Sequence, residues 1–168
     1  MKRLMIAACV LALAGCQSNP GAPSSAGTTM LRANIAATSA VPAVTGPEAG
    51  GTGTVTITLR TTRENGVITR ATADFAIALT GYPAGTQITA ANIRVGSATA
   101  NGAIVQDTGL EAQGGATLET GSGTMTVAGV AVSGPVANAL VANAGGYYFN
   151  VQSTLNPGTT ARGQLLFP

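Results

Sequence analysis

From residue 31 onward the chain alternates between apolar and polar positions. Leu31, Ala33 and Ile35 are separated by polar or small residues, and Val55, Ile57 and Leu59 alternate with Thr54, Thr56 and Thr58. A period of two marks a strand with one buried face. Residues 61–66, TTRENG, read as a turn ending in Asn65-Gly66. Beyond it Val67, Ala71, Ala73, Phe75, Ile77 and Leu79 are set on one face, opposite Arg70, Thr72, Asp74 and Thr80. The two runs predict a long β-hairpin with a clear inside and outside. Weaker strands are expected around Ile93 and Val95, over Ala103 to Asp107, and over Thr124 to Val132. A closing pair is expected from Tyr147 to Thr154 and from Ala161 to Phe167, around Asn156-Pro157-Gly158. One helix is expected from Pro135 to Ala144. Pro135 suits a first turn, Val136, Leu140 and Val141 share a face, and Gly145 ends it. Short strands between Gly-rich turns, without a βαβ rhythm, predict an all-β sandwich or barrel with at most one short helix.

The amino-terminal end has a different pattern. Lys2 and Arg3 precede an apolar run from Leu4 to Gly15, and Cys16 follows. Two positive charges before about a dozen apolar residues is the secretory pattern, and the run is short for a membrane span, which needs about 20 residues. Leu13-Ala14-Gly15-Cys16 matches the lipobox of bacterial lipoproteins. Residues 1–15 are therefore expected to be a cleaved lipoprotein signal, and Cys16 the lipidation site. Cys9 would leave with the signal and Cys16 would become a thioether, so the mature protein would have neither a disulfide nor a free thiol. More than one acyl chain makes a stable membrane anchor. Gln17 stands where an Asp would signal inner-membrane retention, so the expected destination is the outer membrane of a bacterial cell envelope. Residues 17–29 carry no large apolar side chain, so residues 16–29 read as the lipidated Cys and a flexible tether, with the domain proper at 30–168.

Charge removes most function classes. Beyond the signal the basic residues are all arginines: Arg32, Arg60, Arg63, Arg70, Arg94 and Arg162. They balance Glu48, Glu64, Asp74, Asp107, Glu111 and Glu119. No basic run is present to meet a phosphate backbone, so nucleic acid is not an expected partner. The chain has no His, and beyond Lys2 no Lys. Histidine-based triads, the usual zinc and copper ligands and Schiff-base chemistry are thereby excluded. A carboxylate pair remains available in principle, but no spacing singles one out. Neither an enzyme activity nor a cofactor is expected.

Several segments, in order, resemble the CHRD domain. Val41-Pro42-Ala43-Val44, followed by Gly51-Thr52-Gly53-Thr54-Val55, is similar to its opening. Ala91-Asn92-Ile93-Arg94-Val95-Gly96 and Asn101-Gly102-Ala103-Ile104-Val105 are similar to its middle. Tyr148-Phe149-Asn150-Val151-Gln152-Ser153-Thr154, Asn156-Pro157 and Arg162-Gly163-Gln164-Leu165 are similar to its end. The resemblance spans roughly residues 31–167 and implies an all-β, immunoglobulin-like or Greek-key sandwich. The family's characteristic histidines fall at Asn92, Arg94 and Gln152, so any metal held by such histidines in relatives would find no ligands at these positions.

Asn92, Arg94, Asn150, Gln152 and Arg162 are the candidate structural or binding cluster. Asn92 and Gln152 keep hydrogen-bonding capacity. Arg162 would either grip a carboxylate or tie a loop through backbone carbonyls or Asp74, and the tie is the favoured role. The tyrosines are expected to pack in the core. The functional expectation is a lipid-anchored, non-catalytic envelope module that binds other envelope or matrix proteins. The alternatives are a metal- or small-ligand-binding protein and a hydrolase using two carboxylates.

Overall fold

A computed structural model describes residues 24–168. The signal expected over residues 1–15, Cys16, and the start of the expected tether lie outside the described residues. The strands are β1 (Ser24–Ala36), β2 (Thr52–Glu64), β3 (Val67–Thr80), β4 (Thr86–Val95), β5 (Ile104–Asp107), β6 (Ala116–Leu118), β7 (Gly123–Ser133), β8 (Tyr147–Ser153) and β9 (Ala161–Gln164). One α-helix, α1 (Gly134–Ala142), lies between β7 and β8.

The all-β expectation holds. Its division into a two-sheet sandwich is not what the hydrogen bonds form. The strands pair continuously and antiparallel in the order β5-β4-β8-β9-β1-β2-β3-β7, with β6 joined to β4. The sheet curls until its ends nearly meet: the Gln106 side-chain amide on β5 donates to the Ala131 carbonyl on β7 at 3.3 Å. Curling puts one face of every strand inside. Leu31, Ile35, Ile57, Phe75, Ile77, Ile93, Phe149 and Val151 are all buried there. Phe75 and Phe149 face each other across this interior with ring centroids 6.1 Å apart. Each such side chain, removed from water, contributes about 1.5–3 kcal/mol.

The hairpin forms as its alternation predicts, but its turn is tighter. Asn65 and Gly66, with φ of 52° and 80°, form a two-residue turn between the paired Glu64 and Val67. Positive φ at both positions matches the right-handed twist of the strands, which explains the Asn-Gly choice. Thr61–Glu64 therefore belong to β2. Val67 has to be corrected. The register shifts beside the turn, with Arg63 opposite Ile68 but Thr62 opposite Arg70. The extra residue reverses the alternation. Val67 is 55% exposed, and Ile68 takes the inward place.

The tether also ends earlier than expected. β1 begins at Ser24, paired with Glu64, so Ser24–Thr29 extend the strand along the long hairpin. Their small side chains stay mostly exposed, and pairing with β2 orders them, helped by the Thr61 hydroxyl, which donates to the Gly27 carbonyl at 3.2 Å. The helix starts as expected. The Ser133 hydroxyl accepts the Val136 N–H, and Pro135 sits in the first turn. Its buried face is Ala137 and Leu140, with Val136 and Val141 at the margins.

β9 passes so close to β1 that a Cβ at Gly163 would lie 1.9 Å from the Asn34 carbonyl oxygen. Gly163→Ala is expected to destabilise the protein by about 3 kcal/mol, since only a backbone shift relieves the overlap. Urea unfolding followed by far-ultraviolet circular dichroism measures it.

Candidate functional site

The outer face of β4, β8 and β9 is polar in sequence yet largely buried. Asn92, Asn150 and Arg162 lie opposite one another in register across the three strands, and Arg94, Tyr148 and Gln164 form the next row. Asn92, Asn150, Tyr148 and Arg162 are each no more than 1% exposed. Three loops cover them: residues 37–51, 96–103 and 154–160. A small apolar cluster of Ala37, Ala40 and Val44 anchors the first loop.

Arg162 holds the second loop. Its guanidinium lies 3.5 Å from the centre of the Tyr148 ring. It donates to the carbonyls of Ser97 at 2.6 Å and Ala100 at 3.0 Å, and to Asn101 Oδ1 at 3.1 Å. These contacts are the loop tie, made without Asp74, which pairs instead with Arg60. Burial pushes the Arg162 guanidinium below the ordinary arginine range, and the neighbouring Arg94 charge acts in the same direction, against the pull of Tyr148. The Tyr148 hydroxyl accepts the Gly102 N–H at 3.1 Å. Gln164 adds bonds to the carbonyls of Gly96 and Gly145. Asn101 passes the tie on, donating to the Val41 carbonyl in the first loop.

The other predicted residues meet beside it. Arg94 Nε donates to Asn92 Oδ1 at 2.9 Å. Asn92 Nδ2 reaches Gln152 Oε1 at 3.5 Å, and Gln152 donates to the carbonyls of Pro157 and Gly158. Asn150 accepts from the Thr159 hydroxyl at 2.7 Å and donates to the Gly158 carbonyl. All five candidates thus lie in one polar layer. Arg94 and Gln152 are its half-buried members, and Arg94 lines a cleft of about 510 Å³ between the Val41–Thr45 segment and Leu155–Thr159.

Sequence reasoning missed a second network at the edge of this layer. Glu48 is 3% exposed, and its Oε2 accepts from Ser153 Oγ, Asn156 Nδ2 and Thr160 Oγ1, each at 2.6 Å. One carboxylate oxygen thereby joins the first loop to β8 and the third loop. Tyr82 lies against it, over Gly51, where a Cβ would sit 2.5 Å from the ring. Among the described residues its buried hydroxyl has no hydrogen-bond partner. Burial pushes the Tyr82 phenol up to about 12; the nearby Thr160 hydroxyl opposes this and the Glu48 charge adds to it. The sequence offered no signal for Glu48, a lone acid between Pro47 and Ala49 whose partners lie more than 100 residues away.

Of the remaining acids, Asp107 borders this layer, opposite Asn92 in register. Asp74 is held below the usual carboxylate range by the Gly129 N–H and by Arg60. Asp107 accepts the Gly109 N–H, and Glu64, Glu111 and Glu119 are exposed. Among the described residues, no group of three or more Cys, Asp or Glu side chains is gathered as a metal would require.

The class of protein is now defined: a nearly closed antiparallel β domain whose outer polar layer is roofed by three pinned loops. The chain belongs to the CHRD domain family, whose model matches residues 31–165. No curated protein matches, and no solved structure matches.

Two outcomes are expected. Arg162→Met leaves three loop oxygens without a donor and should cost about 3–5 kcal/mol; Arg162→Lys should recover little, because an ammonium cannot both stack and fork. Paired denaturation curves test this. The second concerns alkaline pH. With its folded pKa raised, Tyr82 favours the fold in its neutral form. That contribution is complete below pH 10 and is lost as pH rises toward about 12, where the unfolded chain ionises first. The melting temperature should fall across that window, and Tyr82→Phe should flatten the fall.

Proposed function

We propose that this protein is a lipid-anchored module of a bacterial cell envelope, probing its surroundings through a rigid cleft rather than through catalysis. The observation that carries the anchoring is the lipobox, Leu13-Ala14-Gly15-Cys16, a few residues upstream of the folded domain that begins at Ser24. Gln17 favours sorting to the outer membrane.

A binding role is supported by how the polar side chains are used. Arg162, Gln164, Gln152 and Glu48 are committed to holding loops, and Asp74 and Asp107 to local bonds. General acid–base catalysis needs titrating groups converging on a shared reacting atom. Nothing in the polar layer has that arrangement, whereas a cleft with fixed walls suits recognition of another envelope molecule. A zinc- or copper-binding role has less support, since Asn92, Arg94 and Gln152 offer amides and a guanidinium in place of imidazole or thiolate.

The expected outcome for the full chain expressed in a Gram-negative host is cleavage before Cys16 and an amino-terminal peptide carrying acyl mass. The wild-type protein should partition into detergent, and Cys16→Ala should lose that partition. Mass spectrometry and phase separation read both. A mature protein cleaved elsewhere and free of lipid would contradict the anchoring.

A further inference from the structure

The Arg94 guanidinium is held at its base and unpaired at its tip. Its Nε–H is committed to Asn92, which is 1% exposed and is itself braced by Gln152 against the third loop. The two terminal nitrogens have no hydrogen-bond partner among the described residues, and Arg94 forms no ion pair there. No carboxylate compensates it. Asp107 stands opposite Asn92 in register, but its Oδ1 faces the Gly109 N–H. Near Arg94 lies a fully buried cation, Arg162, whose partners are carbonyls, amide oxygens and an aromatic ring. Among the described residues neither guanidinium has an ion-pair partner, and the buried Glu48 carboxylate beside the cleft is committed to Ser153, Asn156 and Thr160.

The cleft walls add shape. Arg94 opens between Val41-Pro42-Ala43 on one side and Leu155 and Pro157 on the other, and Leu155 is 59% exposed. A side chain locked through Nε presents its two terminal N–H groups as a parallel fork, the geometry that receives both oxygens of a carboxylate. Fixing that fork beforehand reduces the ordering cost on binding.

We infer that this cleft is a binding site for a carboxylate borne next to a small apolar group, with Arg94 as its receptor and Asn92 and Gln152 as positioning residues. The inference rests on the binding-module reading and names the ligand chemistry of that same cleft. The carboxylate has two sources, the carboxy terminus of a peptide or an acidic side chain.

The test is a titration of the full mature chain, labelled with ¹⁵N and held in non-ionic detergent, at physiological salt. The probes are N-acetyl-leucyl-alanine as free acid, the same dipeptide as its carboxamide, and N-acetyl-leucyl-aspartic diamide. The free acid should give saturable shifts at Arg94 Nε and at the Asn101 and Asn156 amides, with Kd about 1 mM. The carboxamide should bind at least tenfold more weakly. Tighter binding of the aspartic probe would assign the site to acidic side chains, and tighter binding of the free acid would assign it to carboxy termini; both support the inference. Arg94→Gln should weaken the acid tenfold or more without changing the unfolding midpoint appreciably. Asn92→Ala should weaken it less and should broaden the Arg94 Nε resonance, a change that loss of stability alone would not produce. Equal binding of acid and carboxamide at these residues would overturn the carboxylate assignment and leave a binding cleft in place. Absence of saturable shifts at Arg94 with either acid would overturn the inference, while anchoring remains readable from the acyl mass.

Discussion

A buried guanidinium with no carboxylate partner among the described residues organises one whole side of this protein. Arg162 is 1% exposed, and a charge so placed is tolerable only if oxygen lone pairs and aromatic density replace its water. The chain supplies both, Tyr148 beneath and the oxygens of residues 97–101 around it. That requirement fixes the 96–103 loop. Through Asn101 it also fixes the Val41 segment, and it sets one wall of the cleft into which Arg94 projects. The Glu48 network does the same from the opposite side, where one oxygen gathers three donors from β8 and the third loop. The two networks together turn an outer strand face that would ordinarily be wet into a second, polar interior.

The core shows the ordinary division of labour in a β domain. Apolar alternation sets which face of each strand turns inward, and the curl of the sheet sets which strands meet. Phe75 and Phe149 come from β3 and β8, which are not neighbours in the sheet, and they touch only because the sheet closes upon itself. The tight approach of β9 to β1 at Gly163 belongs to the same closure, and it lies one residue from Arg162. The Arg162-Gly163 pair thus serves two layers at once, the backbone of one residue closing the sheet and the side chain of the other pinning the roof.

Much of this was legible in the sequence, and the reasons for the gaps are physical. The β2–β3 hairpin could be read because its alternation is long and Asn65-Gly66 is suited to a turn with two positive φ angles. Val67 was misplaced because a single unpaired residue reverses the parity of a strand, and which residue is unpaired depends on the partner strand. β1 could not be started at Ser24, since its first residues are small and are ordered by pairing with β2 rather than by burial. A single continuous sheet, as against a two-sheet sandwich, depends on the β9–β1 junction, which is one pair in register and one isolated bridge. In the site, Asn92, Arg94, Asn150, Gln152 and Arg162 were found as positions, and the structure supplies their bonds. Tyr82 is buried as expected of the tyrosines, but Glu48 was invisible because a lone acid carries no periodicity and its partners are distant in the chain.

Whether Arg162 holds the roof can be asked directly by amide hydrogen exchange on the full chain, comparing wild type with Arg162→Met. The account predicts that the Val95 and Gly102 amides, which bond to Ala103 and to the Tyr148 hydroxyl, lose protection well beyond the loss shared by β2 and β3. Equal loss across loop and core strands, or no change in the loop, would contradict it.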